Sequence, residues 1–142
     1  MFDAASILRS SSIGMIVIGA VTFLACSIIA APYGRYSTAR GWGFLVPAKL
    51  SWFIMESPNL LMPPLIYGYF GSPDCFNSRP NTVLLGMFLM HYFHRSIIYP
   101  LFRVNGRHHK ATPVTVTILA FSYCSWNGFN QALALLVVNI YP

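Results

Sequence analysis

Residues 44–70 read FLVPAKLSWFIMESPNLLMPPLIYGYF, an apolar run with a single acidic residue, Glu56, in its interior. The run is longer than the roughly 20 residues that a helix needs to cross a hydrocarbon layer. Pro58, Pro63 and Pro64 follow the acid, and each lacks the backbone N–H that would continue the helical hydrogen bonds. We therefore predict a membrane helix that bends after Glu56, with a polar cavity where the freed carbonyl groups find partners.

Three further apolar runs occupy residues 13–31, 82–102 and 114–140. Only 8% of the residues are charged and 56% are hydrophobic, whereas a soluble domain carries about 25% charged residues. This composition disfavours a soluble helical bundle. The first run is also longer than the apolar core of a signal peptide, about 7–15 residues, which favours a membrane helix over a cleaved signal. We predict an all-α, polytopic transmembrane bundle of about four spans, with residues 1–142 forming a single membrane domain.

The net charge of +6 comes from basic residues between the apolar runs, not from the long stripe that nucleic-acid binding requires. We therefore predict contact with membrane lipids and no nucleic-acid partner. Six of the nine basic residues lie in segments 32–49 and 103–113: Arg35, Arg40, Lys49, Arg103, Arg107 and Lys110. The positive-inside rule places both segments in the cytosol.

Glu56 is the residue most expected to carry chemistry. A carboxylate at membrane depth costs about 2.5–3.5 kcal/mol, so it tends to persist for a functional reason. Burial would favour its neutral form, which can donate a hydrogen bond. The alternative is structural: Glu56 pairs with Lys49 or Arg95 and only holds helices together.

Polar residues also interrupt the two later apolar runs. Tyr92, in the cluster His91–Arg95, is either structural or part of an interfacial aromatic belt when it is taken alone. Asn127, Asn130 and Gln131 follow the helical spacing i, i+3, i+4 and share one face. These amides either join helices or line a pocket for a polar ligand.

Metal binding is not predicted. The chain has four histidines, His91, His94, His108 and His109. They faintly resemble the histidine boxes of membrane di-iron desaturases, which need about twice as many ligands. The three cysteines show no paired spacing of the kind that binds metal.

Four segments, taken together and in order, resemble the steroid 5α-reductases. Residues 52–58 (WFIMESP) resemble that family's W-x-x-x-E-x-P segment. Residues 84–100 (LLGMFLMHYFHRSIIYP) resemble its L-L-x-x-F-x-x-H-Y-x-H-R-x-x-I-Y-P signature, which is the specific one of the four. Residues 32–36 (PYGRY) and 127–131 (NGFNQ) are similar to two further family segments.

The resemblance implies a membrane-embedded enzyme, in the endoplasmic reticulum, that uses NADPH to reduce the Δ4 double bond of a 3-oxo-steroid or another lipid enone. It assigns to Glu56 and Tyr92 the hydrogen bonds to the ketone oxygen. Donors of this kind stabilise the negative charge that builds there during reduction. It implies substrate-binding residues at four positions: Trp52, Tyr33, Arg95 and Asn127. It places Arg107 near the cofactor phosphates.

The resemblance is incomplete in one respect. Members of the family are about twice as long, and their second half, which supplies most NADPH contacts, has no counterpart here. The chain also lacks a glycine-rich dinucleotide fingerprint. A fragment, a truncated product and a short active form all stay open. So do two other functions: a polyprenol or trans-2-enoyl-CoA reductase, and a non-catalytic membrane binding protein.

Overall fold

The computed structural model describes residues 3–29, 42–104 and 111–141. The described residues are 83% helical, so the predicted all-α class is confirmed. The helices are Ala4–Ile28 (α1), Ala48–Glu56 (α2), Pro58–Phe70 (α3), Pro73–Asn77 (α4), Arg79–Phe93 (α5), Tyr99–Phe102 (α6) and Val114–Leu133 (α7). Two π-helical turns continue the chain after α5 and α7: His94–Ile98 and Ala134–Val138.

A short antiparallel strand pair, which the sequence did not predict, joins Leu45–Val46 (β1) to Thr112–Pro113 (β2). The pair brings together the ends of segments 32–49 and 103–113. The described ends of the two basic segments, at β1 and β2, are therefore neighbours. Their cytosolic location stays a prediction.

Helix α1 is long and apolar enough to cross a membrane, and within the described ranges it is the one helix that meets this test. It begins at Ala4, nine residues before the predicted start of the first span at Ile13. None of its residues is buried, which suits a helix that faces lipid. Asp3 caps it, and hydrogen bonds from Ser6 lower the pKa of the Asp3 carboxyl.

The other three predicted spans correspond to helical segments 48–70, 79–102 and 114–138. The first is broken at Ser57, the second contains a π-helical turn, and the third carries the polar side chains of residues 126–131. That these segments cross a membrane stays a prediction.

The break after Glu56 lies where the prolines predicted it. Helix α2 ends at Glu56 and α3 begins at Pro58, which has no N–H to offer the Ile54 carbonyl four residues back. The Ser57 hydroxyl donates to that carbonyl instead, at 3.2 Å. The carbonyl that the proline leaves without a partner is thus satisfied locally.

Helix α7 lies at the centre of the packing. The C-terminal end of α7 and the π-helical turn after it form the apolar core with α3 and α5. The core residues are Ile66, Leu85, Ala132, Leu133, Leu135 and Leu136. One turn nearer the N-terminus of α7, a Cβ atom at Gly128 would lie 3.1 Å from the Asn59 Cα and 3.1 Å from the Met62 Cβ. The absence of a side chain at Gly128 therefore lets α3 and α7 approach closely, as small residues do in membrane helix pairs.

Asn81 joins the end of the α7 segment to the start of α5. Its side chain is almost fully buried, and Nδ2 donates to the carbonyls of Leu135 at 2.8 Å and Asn139 at 2.6 Å. Its Oδ1 accepts the Tyr141 backbone N–H at 3.1 Å. These bonds satisfy carbonyl groups that a helix end leaves without partners.

Helix α1 is held to α7 by two side-chain hydrogen bonds. Trp126 Nε1 donates to Ser11 Oγ at 2.6 Å, and Ser11 Oγ donates to Asn130 Oδ1 at 2.6 Å. Of the two alternatives for the amides of α7, Asn130 thus joins helices.

A valine at Gly128 tests the close packing of α3 and α7. We expect Gly128→Val to destabilise the protein by about 1–3 kcal/mol, because the new methyl groups meet the backbone of α3. Thermal unfolding in detergent measures the change. The matched control is Gly86→Val, since a Cβ atom at Gly86 meets nothing within 4 Å. Equal midpoints for the two variants would contradict the predicted contact.

Candidate functional site

Glu56 forms an ion pair with Arg95. The carboxylate is 6% exposed, and its Oε1 accepts from Arg95 Nη2 at 2.5 Å and from Arg95 Nε at 3.1 Å. Lys49, the other partner considered from the sequence, instead donates to the Leu101 carbonyl at 3.4 Å. Glu56 therefore joins α2 to the π-helical turn His94–Ile98.

A proline lies two residues after the π-helical turn His94–Ile98. Pro100 has no N–H to offer the Ser96 carbonyl, so the regular pattern cannot continue through it. The Tyr99 N–H donates to the His94 carbonyl five residues back, which widens the turn that carries Arg95. Such single π-helical turns often occur at functional sites.

Trp52 is a second residue, besides Glu56, that contacts the Arg95 guanidinium. The guanidinium lies 5.2 Å from the centre of the Trp52 ring, within the range of a cation–π contact. The Tyr99 ring packs on the same indole at 4.8 Å between centroids. Trp52 and Arg95, both predicted to bind substrate, therefore contact each other beside Glu56.

The second carboxylate oxygen of Glu56 faces α7. Cys124 Sγ lies 3.8 Å from Glu56 Oε2, at hydrogen-bond distance for a thiol donor, and also neighbours the Asn59 side chain. With Arg95 on one oxygen and Cys124 on the other, Glu56 accepts hydrogen bonds in this arrangement. Donation from Glu56, as expected from the sequence, would need a proton on Oε2, the oxygen that faces Cys124.

The Tyr92 phenol is oriented by an asparagine. Asn127 Nδ2 donates to Tyr92 Oη at 3.1 Å and to Asn59 Oδ1 at 2.9 Å. Because the phenol oxygen accepts the amide N–H, its own proton points elsewhere. Among the described residues that proton has no acceptor.

Asn59 was not predicted as a site residue. It is fully buried at the first turn of α3, where its Oδ1 fixes the orientation of the Asn127 amide. Its Nδ2 has no hydrogen-bond partner in the described part of the chain. Its position three residues after Glu56, on the far side of a proline, was a signal in the sequence that could have identified it.

A cavity of about 390 Å³ lies between α5 and the α7 segment. Its lining residues are Leu84, Phe88, Tyr92, Asn127, Gln131, Ala134, Leu135 and Tyr141. All are uncharged, and the volume is within the usual range for small-ligand pockets. The predicted residues Tyr92 and Asn127 thus share this cavity.

The remaining predicted residues are placed differently. Glu56, Trp52 and Arg95 form the adjacent cluster and do not line the cavity. Tyr33 and Arg107 lie outside the described residues. Within the described ranges no group of three His, Cys, Asp or Glu side chains lies close enough to hold a metal ion.

Comparison with known proteins gives several relatives. The chain is 36% identical to 3-oxo-5-alpha-steroid 4-dehydrogenase 1 of Bos taurus over 125 residues, which cover 87% of this chain and 47% of the relative. It is 36% identical to steroid 5-alpha-reductase DET2 of Arabidopsis thaliana over 83% of this chain and 45% of the relative. Against 3-oxo-5-alpha-steroid 4-dehydrogenase 1 of Homo sapiens the identity is 31%, over 88% and 50%.

No protein-family model matches the chain. The chain spans about half the length of the curated relatives it matches. Identity at this level, over more than four-fifths of the chain and with relatives from animals and plants, confirms the resemblance predicted from the motifs. By sequence, this chain is similar to the steroid 5α-reductases over most of its own length and about half of theirs.

Proposed function

We propose that the chain binds a 3-oxo-Δ4-steroid in the cavity between α5 and α7 and takes part in the NADPH-dependent reduction of its Δ4 double bond. The relatives' names support the substrate class. The observation that carries the proposal is the Tyr92 phenol, which lines the cavity with its oxygen bonded by Asn127 and its proton available.

Tyr92 suits the chemistry of enone reduction. When the conjugated double bond is reduced, negative charge builds on the ketone oxygen, and a donor already in place stabilises that charge. The Asn127 N–H bond to Tyr92 Oη polarises the phenol, which strengthens the bond that the phenol donates. The apolar lining from Leu84, Phe88 and Leu135 fits the hydrocarbon rings of a steroid.

Glu56 has two roles in the proposal, which differ in its protonation. As the carboxylate that pairs with Arg95 and Cys124, it fixes α2 against the π-helical turn and α7 beside the cavity. As a neutral acid it would be the second donor to the ketone oxygen. The second role requires a proton on Oε2, the carboxyl oxygen that Arg95 does not contact.

The lining of this cavity does not fit NADPH. The cavity lining carries no cation to meet the cofactor's phosphates, and Arg107, the residue implied for that role, lies outside the described ranges. We therefore assign to this part of the chain the binding and polarisation of the steroid, and place the cofactor at other residues.

The same uncharged lining disfavours a trans-2-enoyl-CoA reductase. A trans-2-enoyl-CoA substrate carries phosphates, for which the cavity offers no partner. Steroid binding without reduction is the second candidate, because the lining of this cavity fits the steroid and not the cofactor. We further propose that the chain lies in the endoplasmic reticulum membrane, among lipids, with the basic segments 32–49 and 103–113 cytosolic.

The reductase proposal is tested in membranes that contain the chain, supplied with NADPH and a 3-oxo-Δ4-steroid. We expect a product that has lost the Δ4 double bond and kept the ketone, identified by mass spectrometry. Binding of the steroid without turnover would instead support the second candidate. Failure to bind the steroid would contradict both.

Removal of the Tyr92 hydroxyl tests the donor. We expect Tyr92→Phe to lower turnover by about 10²–10³-fold, the usual cost of losing one such donor. In the bound steroid, the infrared stretch of an isotope-labelled C3 carbonyl should rise, because a hydrogen bond to the oxygen lowers that frequency. The control is Tyr69→Phe, since Tyr69 is 79% exposed and lies away from the cavity. An unchanged carbonyl stretch in Tyr92→Phe would contradict the assignment.

Glu56→Gln separates the two roles of Glu56. If the carboxylate mainly holds Arg95, the variant loses stability, by about 1–2 kcal/mol. This is less than the 3–5 kcal/mol of a fully buried pair, because the Arg95 side chain is 40% exposed. Thermal unfolding and steroid binding are measured together. An unchanged unfolding midpoint combined with lost turnover would show that the ion pair is dispensable and that Glu56 acts on the substrate.

A further inference from the structure

The Asn127 amide has two possible orientations, which have opposite effects on the Tyr92 phenol. In the structure Asn127 Nδ2 donates to Tyr92 Oη at 3.1 Å and to Asn59 Oδ1 at 2.9 Å. Half a turn about the Cβ–Cγ bond would exchange the two ends of the amide and set Asn127 Oδ1 in the place of Nδ2. A carbonyl oxygen only accepts, so the phenol would then donate its proton to Asn127. Only the first orientation leaves the phenol proton unused by Asn127.

Asn59 favours the first orientation. Its side chain is fully buried, and its Oδ1 is the second acceptor of the Asn127 Nδ2 protons. If Asn127 alone turned, two carbonyl oxygens would face each other, and neither would have a partner there. A buried acceptor without a partner is costly, whereas the present contact supplies a hydrogen bond. Asn59 does not line the cavity, so it affects the phenol through Asn127.

The orientation of Asn59 itself is explained by its neighbour Cys124. The Asn59 side chain lies beside this thiol, whose sulfur is 3.8 Å from Glu56 Oε2. Because the thiol proton is directed at the carboxyl oxygen, the sulfur offers lone pairs to its other neighbours. A turned Asn59 would bring its own oxygen towards these lone pairs, whereas the observed orientation turns Nδ2, a donor, to that side. That nitrogen has no hydrogen-bond partner among the described residues, so the amide is held mainly through its oxygen.

We propose that Asn59 is a positioning residue for the reduction: its Oδ1 holds the Asn127 amide with Nδ2 towards Tyr92, which keeps the phenol proton for the ketone oxygen. This inference rests on the proposed function, which sets the ketone against Tyr92. It adds a requirement that the cavity lining does not contain, an acceptor at residue 59. A side chain without an acceptor there would let Asn127 take either orientation, because each orientation keeps one hydrogen bond between Asn127 and the phenol.

The test uses the full chain in lipid nanodiscs, with a bound 3-oxo-Δ4-steroid whose C3 carbonyl is isotope-labelled. In Asn59→Leu we expect roughly half of the carbonyl infrared band to move to the higher frequency found for Tyr92→Phe, since the two orientations then have similar energies. Asn59→Asp should keep the band of the unmodified chain, because its carboxyl group retains an acceptor oxygen. In a chain that already carries Tyr92→Phe, adding Asn59→Leu should leave the band unmoved, because the two residues act through one hydrogen bond.

The matched control is Ser51→Ala. It removes another buried hydrogen bond to α7, between Ser51 and Thr117 at 2.8 Å, and leaves Asn59 in place. We expect this variant to unfold at a lower temperature with an unchanged carbonyl band. Asn59→Ala repeats the test without added volume, and it replaces Asn59→Leu if the leucine prevents folding.

The outcomes separate this inference from the proposed function. If Tyr92→Phe raises the carbonyl frequency but neither Asn59→Leu nor Asn59→Ala does, the role of Asn59 is wrong and the proposed function stands. An equal change in Ser51→Ala would also overturn that role, since the effect would then follow from lost stability. If no 3-oxo-Δ4-steroid binds, or if Tyr92→Phe leaves the carbonyl band unchanged, the proposed function itself fails.

Discussion

The arrangement of the helices around the candidate site depends on one chain of polar contacts, most of them partly buried. It runs from Arg95 through Glu56 and Cys124 to the neighbouring Asn59, and on through Asn127 to Tyr92. A buried polar group without a partner is costly, so each contact limits where the next helix can lie. The contacts join α2, α3, α5, the π-helical turn and α7 at one level of the bundle. The last of these contacts, from Asn127 to Tyr92, orients the Tyr92 phenol.

Prolines accompany two irregularities in the helices, the break after Glu56 and the π-helical turn His94–Ile98. The chain of contacts depends on both. Pro58 ends α2 just after Glu56 and sets Asn59 on a new helix, while Pro100 accompanies the π-helical turn that carries Arg95. Without a side chain at Gly128, α7 can approach α3 closely enough for the Asn59–Asn127 bond. Local backbone chemistry thus places the side chains that the site uses.

Much of this was predictable from the sequence, and the reasons for the rest are physical. The break after Glu56, the all-α class and Arg95 as one of two candidate partners for Glu56 follow from composition and spacing, which are local. Asn59 was missed because its importance comes from a contact 68 residues away in the sequence. The β1–β2 pair and the place of Tyr141 in the cavity also depend on long-range packing, which residue patterns do not encode. Tyr33 and Arg107 keep their predicted roles as predictions.

The central claim is that the Tyr92 phenol donates to the ketone oxygen of a bound steroid. An experimental structure of the chain with a 3-oxo-Δ4-steroid tests it most directly. The account predicts the C3 oxygen at about 2.7–2.8 Å from Tyr92 Oη, inside the cavity between α5 and α7, with the Asn127 bond to the phenol intact. A steroid bound elsewhere, or one whose C3 oxygen contacts the opposite end of the cavity, would contradict it.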